Sequence, residues 1–282
     1  MPTSTAPALL STRAELDLTS PLTVPQPTVC TVCNGSGSAG KTTTVDALAT
    51  MYAERGLRVG VVDLDPQGNV TFAAGIEAVE GHTVSDALLR RAEPAICMVP
   101  HATVPNVWVM PTDRELATAA VELERSPGGV MRLRKVVQTI IEALGLDIVF
   151  IDCPGAIGFL TITALVASQK AVTVTVPALK ELQGLAAIEE LIEQVGEAYH
   201  DSELALDAIV PCNMRQITVH REGLALLQDT YGDLVTSPIR MAATVPEAYA
   251  QQKPLTVYAP KADVTTDYRI AGTEVFEKVF AA

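Results

Sequence analysis

Basic residues are scarce in this chain: 20 Lys and Arg stand against 33 Asp and Glu, a net charge of −13. That balance excludes a protein that coats nucleic acid with its whole surface, though it leaves room for a local basic patch. Long apolar runs are missing as well. The most apolar stretch, residues 156–179, is broken by Thr161, Thr163, Ser168, Gln169 and Lys170, so it reads as a buried helix and a buried strand rather than a membrane span. The N-terminus lacks a basic lead, and residues 6–10 are too short for the core of an export signal. The closing segment, residues 276–280, is short and not basic, which argues against a membrane-surface helix. Five cysteines in 282 residues are too few for a disulfide framework and point to a reducing, cytoplasmic setting. Cys30 and Cys33 form one C-x-x-C, but on a strand their side chains diverge to opposite faces. No second pair completes a zinc site, so both are expected in the core. The single tryptophan, Trp108, falls on an expected strand and reads as core rather than as a platform for bases.

What is present is apolar, alternating and long enough for one sizeable core: 48% of the residues are hydrophobic. Helical patterns at 84–91, 115–124, 131–144, 180–199, 218–231 and 265–280 alternate with strands near 107–110, 171–176 and 205–210. The expected fold is one α/β domain over residues 28–282, three-layered, with a mostly parallel twisted sheet and helices on both faces. Residues 1–27, with Pro2, Pro7, Pro21, Pro25 and Pro27 among serines and threonines, are expected to form a flexible tail.

The most informative segment is Asn34-Gly35-Ser36-Gly37-Ser38-Ala39-Gly40-Lys41-Thr42-Thr43. Its G-x-x-x-x-G-K-T core is a phosphate-binding loop. Gly35, Gly37 and Gly40 allow backbone conformations in which successive N–H groups converge on phosphate oxygens. Lys41 brings a point charge, and the Thr42 hydroxyl is placed to ligate Mg²⁺. The apolar, β-branched strand 28–33 precedes the loop. A helix with Val45, Leu48, Ala49 and Tyr52 on one face follows it and stops at Gly56. Strand, loop and helix in this order set a triphosphate on a helix N-terminus.

Two further segments end strands in carboxylates. Residues 58–63 run into Asp63-Leu64-Asp65-Pro66-Gln67-Gly68-Asn69, with both acids on one side of a strand end. Asp65 is a candidate to orient a water, and Asp63 to support Mg²⁺ or its water shell. The strand 147–152 is apolar from Ile148 to Ile151 and ends in Asp152, the pattern of a Walker B strand whose carboxylate holds Mg²⁺.

Together these segments resemble the ParA family of partition ATPases, in the P-loop group that includes MinD. The likeness rests most specifically on the D-x-D-P-Q-G-N of residues 63–69. It extends to residues 110–116, to Asp152-Cys153-Pro154 with Gly158, to Pro177, Glu181 and Gly184, and to Glu247-Ala248, Lys253-Pro254 and Tyr258. The resemblance implies an ATPase with ATP and Mg²⁺ as cofactors, slow and stimulated by a partner. In it Lys41 and residues 35–43 bind phosphate, Thr42 and Asp152 bind the metal, Asp65 assists hydrolysis and Asn213 reads the adenine edge. It also implies an ATP-dependent homodimer that binds DNA non-specifically and segregates plasmid or chromosomal DNA with a ParB-like centromere-binding protein. Such a protein would be cytoplasmic and nucleoid-associated. Family members bind DNA through C-terminal basic residues, for which Arg215, Arg221 and Arg240 are the counterparts. Two departures matter. Ser36 stands where the family carries a signature lysine that reaches across the dimer to the partner's phosphates, and Ser38 replaces a glycine. A few cargo-positioning relatives also lack that lysine, so a nucleotide-dependent switch that positions a protein cargo is the alternative reading. In either case Lys180 or Arg215 is a candidate replacement cation.

Overall fold

A computed structural model describes residues 16–35 and 40–281. Its strands are β1 (Thr28–Cys33), β2 (Val59–Asp63), β3 (Val99–Pro100), β4 (Val107–Met110), β5 (Ile148–Asp152), β6 (Lys170–Thr175) and β7 (Leu206–Pro211). The sheet order is β3-β4-β2-β5-β1-β6-β7, with only β3 antiparallel. Its helices are α1 (Lys41–Glu54), α2 (Asn69–Ala73), α3 (Val84–Leu88), α4 (Leu116–Glu124), α5 (Arg132–Leu144) and α6 (Phe159–Ala167), then α7 (Leu179–Tyr199), α8 (Thr218–Tyr231), α9 (Thr244–Ala250), α10 (Leu255–Tyr258) and α11 (Asp263–Val279). The expected fold class is what the chain adopts.

Period-two alternation along the strands divides the core in two. Cys30 and Val32 of β1 join the cluster built from α1 and α11, whereas Val29 and Cys33 join the one built from α3 to α8. The two thiols of the C-x-x-C therefore lie on opposite faces of the sheet, both buried and free, as strand geometry requires. Residues 156–179 divide into α6 and β6, and no helix among the described residues is long and apolar enough to cross a membrane.

The helix that carries the loop lysine is braced by the chain's last helix. Tyr52 of α1 packs against Phe150 of β5, Phe276 of α11 and Phe280 just beyond it, and its hydroxyl donates to Gly272 O at 2.7 Å. Gly272 lets the helices approach: a Cβ there would lie 3.0 Å from Met51 and 3.1 Å from Leu48. Phe276 and Phe280 are thus core residues, not a surface stripe. Arg58 stacks 4.6 Å over the ring of Trp108, which is half-buried on β4 and packs against the core, between β2 and the edge strand β3.

The segment expected to be a flexible tail is docked in its last part. Leu22 is buried in the α1–α11 core, its N–H donates to Arg55 O at 2.9 Å, and Arg55 Nε donates to Ser20 O at 2.8 Å. Proline content was a poor guide here because one buried apolar residue and two hydrogen bonds with Arg55 outweigh it.

Truncating Phe276 to Ala would leave a cavity between α1, α11 and β5 and should lower stability by about 3–5 kcal/mol. Urea unfolding followed by circular dichroism measures this, and the slope of the transition should not change.

Candidate functional site

The carboxyl ends of three central strands stand in one row. Val32 of β1 and Asp63 of β2 both pair in register with Asp152 of β5, so the two acids sit side by side on adjacent strands. Both are fully buried. Thr42, at the second position of α1, donates its hydroxyl to Asp152 Oδ2 at 2.9 Å. The other oxygen, Asp152 Oδ1, is buried without a partner. Asp63 is differently placed: Oδ2 accepts from Thr71 N at 2.8 Å and Thr71 Oγ1 at 2.7 Å, and Oδ1 from Asp65 N at 3.3 Å. Thr71 Oγ1 in turn accepts from Thr112 N at 3.1 Å, just past β4. Burial raises both carboxyl pKa values above the ordinary range, and the neighbouring Asp63 raises Asp152 further, while Lys41 opposes the rise at Asp152.

Lys41 is buried at the first position of α1 and donates to Asn34 Oδ1 at 2.6 Å, across the loop from its strand end. Gly40 before it has φ +95, a left-handed conformation that suits glycine. Gly35 is required for a different reason. A Cβ there would lie 2.2 Å from the backbone oxygen of Gly184, so strand end and α7 meet backbone to backbone. Ser36, Gly37, Ser38 and Ala39 lie outside the described residues. Thr43 lines a small recess with Thr42, Asp46, Tyr249 and Lys253.

Asp65 is half-buried beyond the row and accepts from Gln67 N at 3.0 Å, in an Asx turn that leads into α2. Asn69 at the start of α2 is held from the C-terminal side, where Tyr249 of α9 donates its hydroxyl to Asn69 Oδ1 at 3.0 Å and stacks on Phe72. Asn213, beyond β7 with φ +53, has its amide nitrogen 3.9 Å from the Cβ position of Gly40, at the foot of the loop.

The C-terminal basic residues separate. Arg215 and Arg240 line one groove of about 730 Å³, next to Asn213 in the chain, whereas Arg221 stands exposed on α8 and does not line it. Arg240 is engaged by acids of α11: Nε donates to Asp267 Oδ2 at 2.6 Å and Nη1 to Asp263 Oδ2 at 2.7 Å. Its charge is offset inside the domain. The residues that motif reading missed are Asn34, Thr71 and Tyr249. Asn34 is adjacent to the loop and could have been included on that ground. Nothing in the spacing of the other two marks them, since each becomes part of the site only through packing, and Gly184, named by the resemblance, gains its contact with Gly35 in the same way.

The row of buried acids, the lysine and the hydroxyl fit a metal bound together with phosphate. Among the described residues no group of three or more His, Cys, Asp or Glu could cage an ion alone. A magnesium ion held partly by phosphate needs no cage: it needs a hydroxyl and a nearby carboxylate, and the orphaned Asp152 oxygen beside Thr42 supplies the second.

Comparisons with known proteins agree with this geometry. Residues 27–206, more than half of the chain, match the family model described as AAA domain. The chain is 28% identical over 255 residues to the chromosome partitioning protein ParA of Caulobacter vibrioides, covering 89% of this chain and 91% of that protein. The structure of apo McdA from Cyanothece superposes with a TM-score of 0.79 at 21% identity, covering 89% of this chain and all of that one. Cobyrinic acid a,c-diamide synthase from Mycobacterium smegmatis, solved with ADP and magnesium, gives a TM-score of 0.73 at 26% identity over 86% of this chain and 91% of that one.

Carboxyls with raised pKa values keep protons that the unfolded chain has lost, so folding takes up protons and stability falls as pH rises from the ordinary carboxylate range. Without nucleotide, the protein should therefore lose stability between about pH 5 and about pH 7.5. Asp152→Asn should flatten that slope. Chemical unfolding of both proteins at the two pH values is the check, and equal slopes would remove Asp152 as the cause.

Proposed function

The chain belongs to the ParA family of AAA-domain ATPases, and from that footing we propose that it binds ATP with Mg²⁺ and hydrolyses it slowly as a partition switch. The observation that carries the reading is the Thr42–Asp152 contact with a second Asp152 oxygen left unpartnered beside it. Lys41 neutralises phosphate charge from the N-terminus of α1, where backbone N–H groups also face the anion. Thr42 and Asp152 hold the metal, Asp63 stays paired with Thr71 and backs the site electrostatically, and Asp65 orients the attacking water. When bound, magnesium supplies positive charge to the phosphate being transferred. Asn213 holds the base with donor and acceptor together.

In this reading ATP favours a homodimer that binds DNA non-specifically and is released by a ParB-like partner, to segregate plasmid or chromosomal DNA. Arg215, whose Nε contacts Met241 Sδ, and the exposed Arg221 are the contributors to such a face, with Arg240 holding the loop 238–241 against α11. The second reading, a switch that positions a protein cargo, is favoured by Ser36 in place of the cross-dimer lysine and by the offset charge of Arg240. Without the lysine, repulsion between apposed triphosphates has to be answered by another cation, for which Lys180 and Arg215 are the candidates.

Two substitutions separate binding from chemistry. Lys41→Ala should weaken ATP binding by at least about tenfold, the loss of roughly one charge-assisted contact. Asp65→Ala should keep ATP affinity within about twofold of wild type and slow hydrolysis by about 100-fold or more, the range for a lost water-positioning group. Equilibrium nucleotide titration and single-turnover hydrolysis measure the two effects. A wild-type rate in Asp65→Ala would reduce that residue to a turn former. The same preparations decide between the readings. DNA retention that needs ATP and falls steeply with salt supports partition, and no retention with ATP present supports the cargo switch.

A further inference from the structure

The acidity of this chain is unevenly distributed. Between residues 90 and 135, seven Lys and Arg stand against five Asp and Glu, whereas the rest of the chain carries 13 against 28. The fold gathers part of this excess into one place. Arg90 and Arg91 after α3, with Arg132 and Lys135 on the first turn of α5, line a groove of about 370 Å³. Its floor is apolar, formed by Ala87, Ala92, Pro94 and Val136, and Glu93 is the acid in its lining. None of these residues belongs to the nucleotide site.

Two details separate the groove from an ordinary solvated helix face. Arg90 has φ +59, at the position just after the α3 cap where glycine is the usual residue. An L side chain is disfavoured there, and strain of this kind is informative when the residue that bears it faces a cavity. The groove is also fixed on both sides by its own arginines. Arg132 Nη1 donates to Leu88 O at 3.1 Å, joining α5 to the end of α3, and Arg91 is paired with Glu115. Those bonds hold two guanidinium groups in place, Glu115 offsets the charge of Arg91, and Arg90 and Lys135 are exposed.

We propose that this groove docks a short acidic segment of a partner protein, with carboxylates on the basic rim and an apolar side chain on the floor. Charge complementarity selects an acidic ligand from solution. The choice of a peptide over a nucleic-acid duplex rests on shape and surroundings. A duplex presents a long row of phosphates and gains nothing from an apolar floor. It would also meet Glu93, Glu115 and Glu122 along the same segment. A short peptide needs only the concavity, where Glu93 is the one acid of the lining, and can stop short of Glu122. The site makes no use of the nucleotide, so its test is independent of the ATPase reading.

The test uses the full chain without nucleotide and a short fluorescent peptide with two pairs of glutamates flanking a leucine. The same peptide with glutamines, and an unlabelled DNA duplex as competitor, are the controls. Anisotropy should show binding of the glutamate peptide that weakens with salt. Lys135→Glu should weaken it by at least about tenfold, a loss of 1.4 kcal/mol or more. Arg90→Gly should weaken it similarly while melting no lower than wild type, because glycine relieves the backbone at that position. That pairing of retained stability with lost binding separates docking from folding. Equal binding by wild type and both variants, equal binding of the glutamine peptide, or displacement by the duplex through the same residues would each overturn the proposal.

Discussion

Two carboxylates buried side by side at the carboxyl edge of a parallel sheet are the constraint around which the rest of this molecule is arranged. The in-register pairing of Asp63 with Asp152 places like charges on neighbouring strands with no solvent exposure. Buried charge of this kind is costly unless it is paired, hydrogen-bonded or protonated. The fold answers with all three. Thr71 donates twice to one oxygen of Asp63, Thr42 donates to one oxygen of Asp152, and Lys41 at the helix start supplies positive charge that opposes the rise in the Asp152 pKa. One oxygen is still left without a partner, and the raised pKa values say that a proton fills the deficit until a cation does.

Beyond these local hydrogen bonds, the supports of the site come from distant parts of the sequence. The lysine helix α1 is fixed from behind by the aromatic cluster of Tyr52, Phe150, Phe276 and Phe280, contributed by α1, β5 and the end of the chain. The start of the loop is fixed from the side by the contact of Gly35 with Gly184 on α7. The turn that carries Asp65 is tied, through Asn69 and Tyr249, to α9. A displacement of α9 therefore reaches the second motif directly, through a hydrogen bond and a ring contact. Such a tether joins the Asp65 turn to the C-terminal third.

The sequence was most legible where periodicity and short-range chemistry decide the outcome. β1 and β4 fall where β-branched and apolar residues place them, and the two strand-final acids, Asp63 and Asp152, stand side by side at the carboxyl ends of adjacent strands. Helix ends are set by local signals such as Gly56, and they too could be read. Contacts between distant segments were not legible. Leu22 docks on α1 although its neighbourhood is rich in proline, because burial of one leucine and two hydrogen bonds with Arg55 are long-range facts. Arg240 reads as a surface base, yet Asp263 and Asp267 of α11 occupy its guanidinium. Thr71 carries no motif at all and still supplies two of the hydrogen bonds on Asp63. The basic groove beside α5 is likewise a product of packing: its arginines and lysine come from two segments some 40 residues apart in sequence.

The claim that the buried carboxylates await a metal-bound nucleotide has a direct thermodynamic signature. Calorimetric titration with ATP and magnesium near neutral pH, repeated in buffers of different ionisation enthalpy, counts the protons exchanged on binding. The account predicts net release from the protein, approaching about one proton per site, because a carboxyl that holds a proton in the free protein must give it up to meet the cation. In Asp152→Asn the release should disappear. Binding with no proton exchange in the wild type, or with the same release in Asp152→Asn, would contradict it.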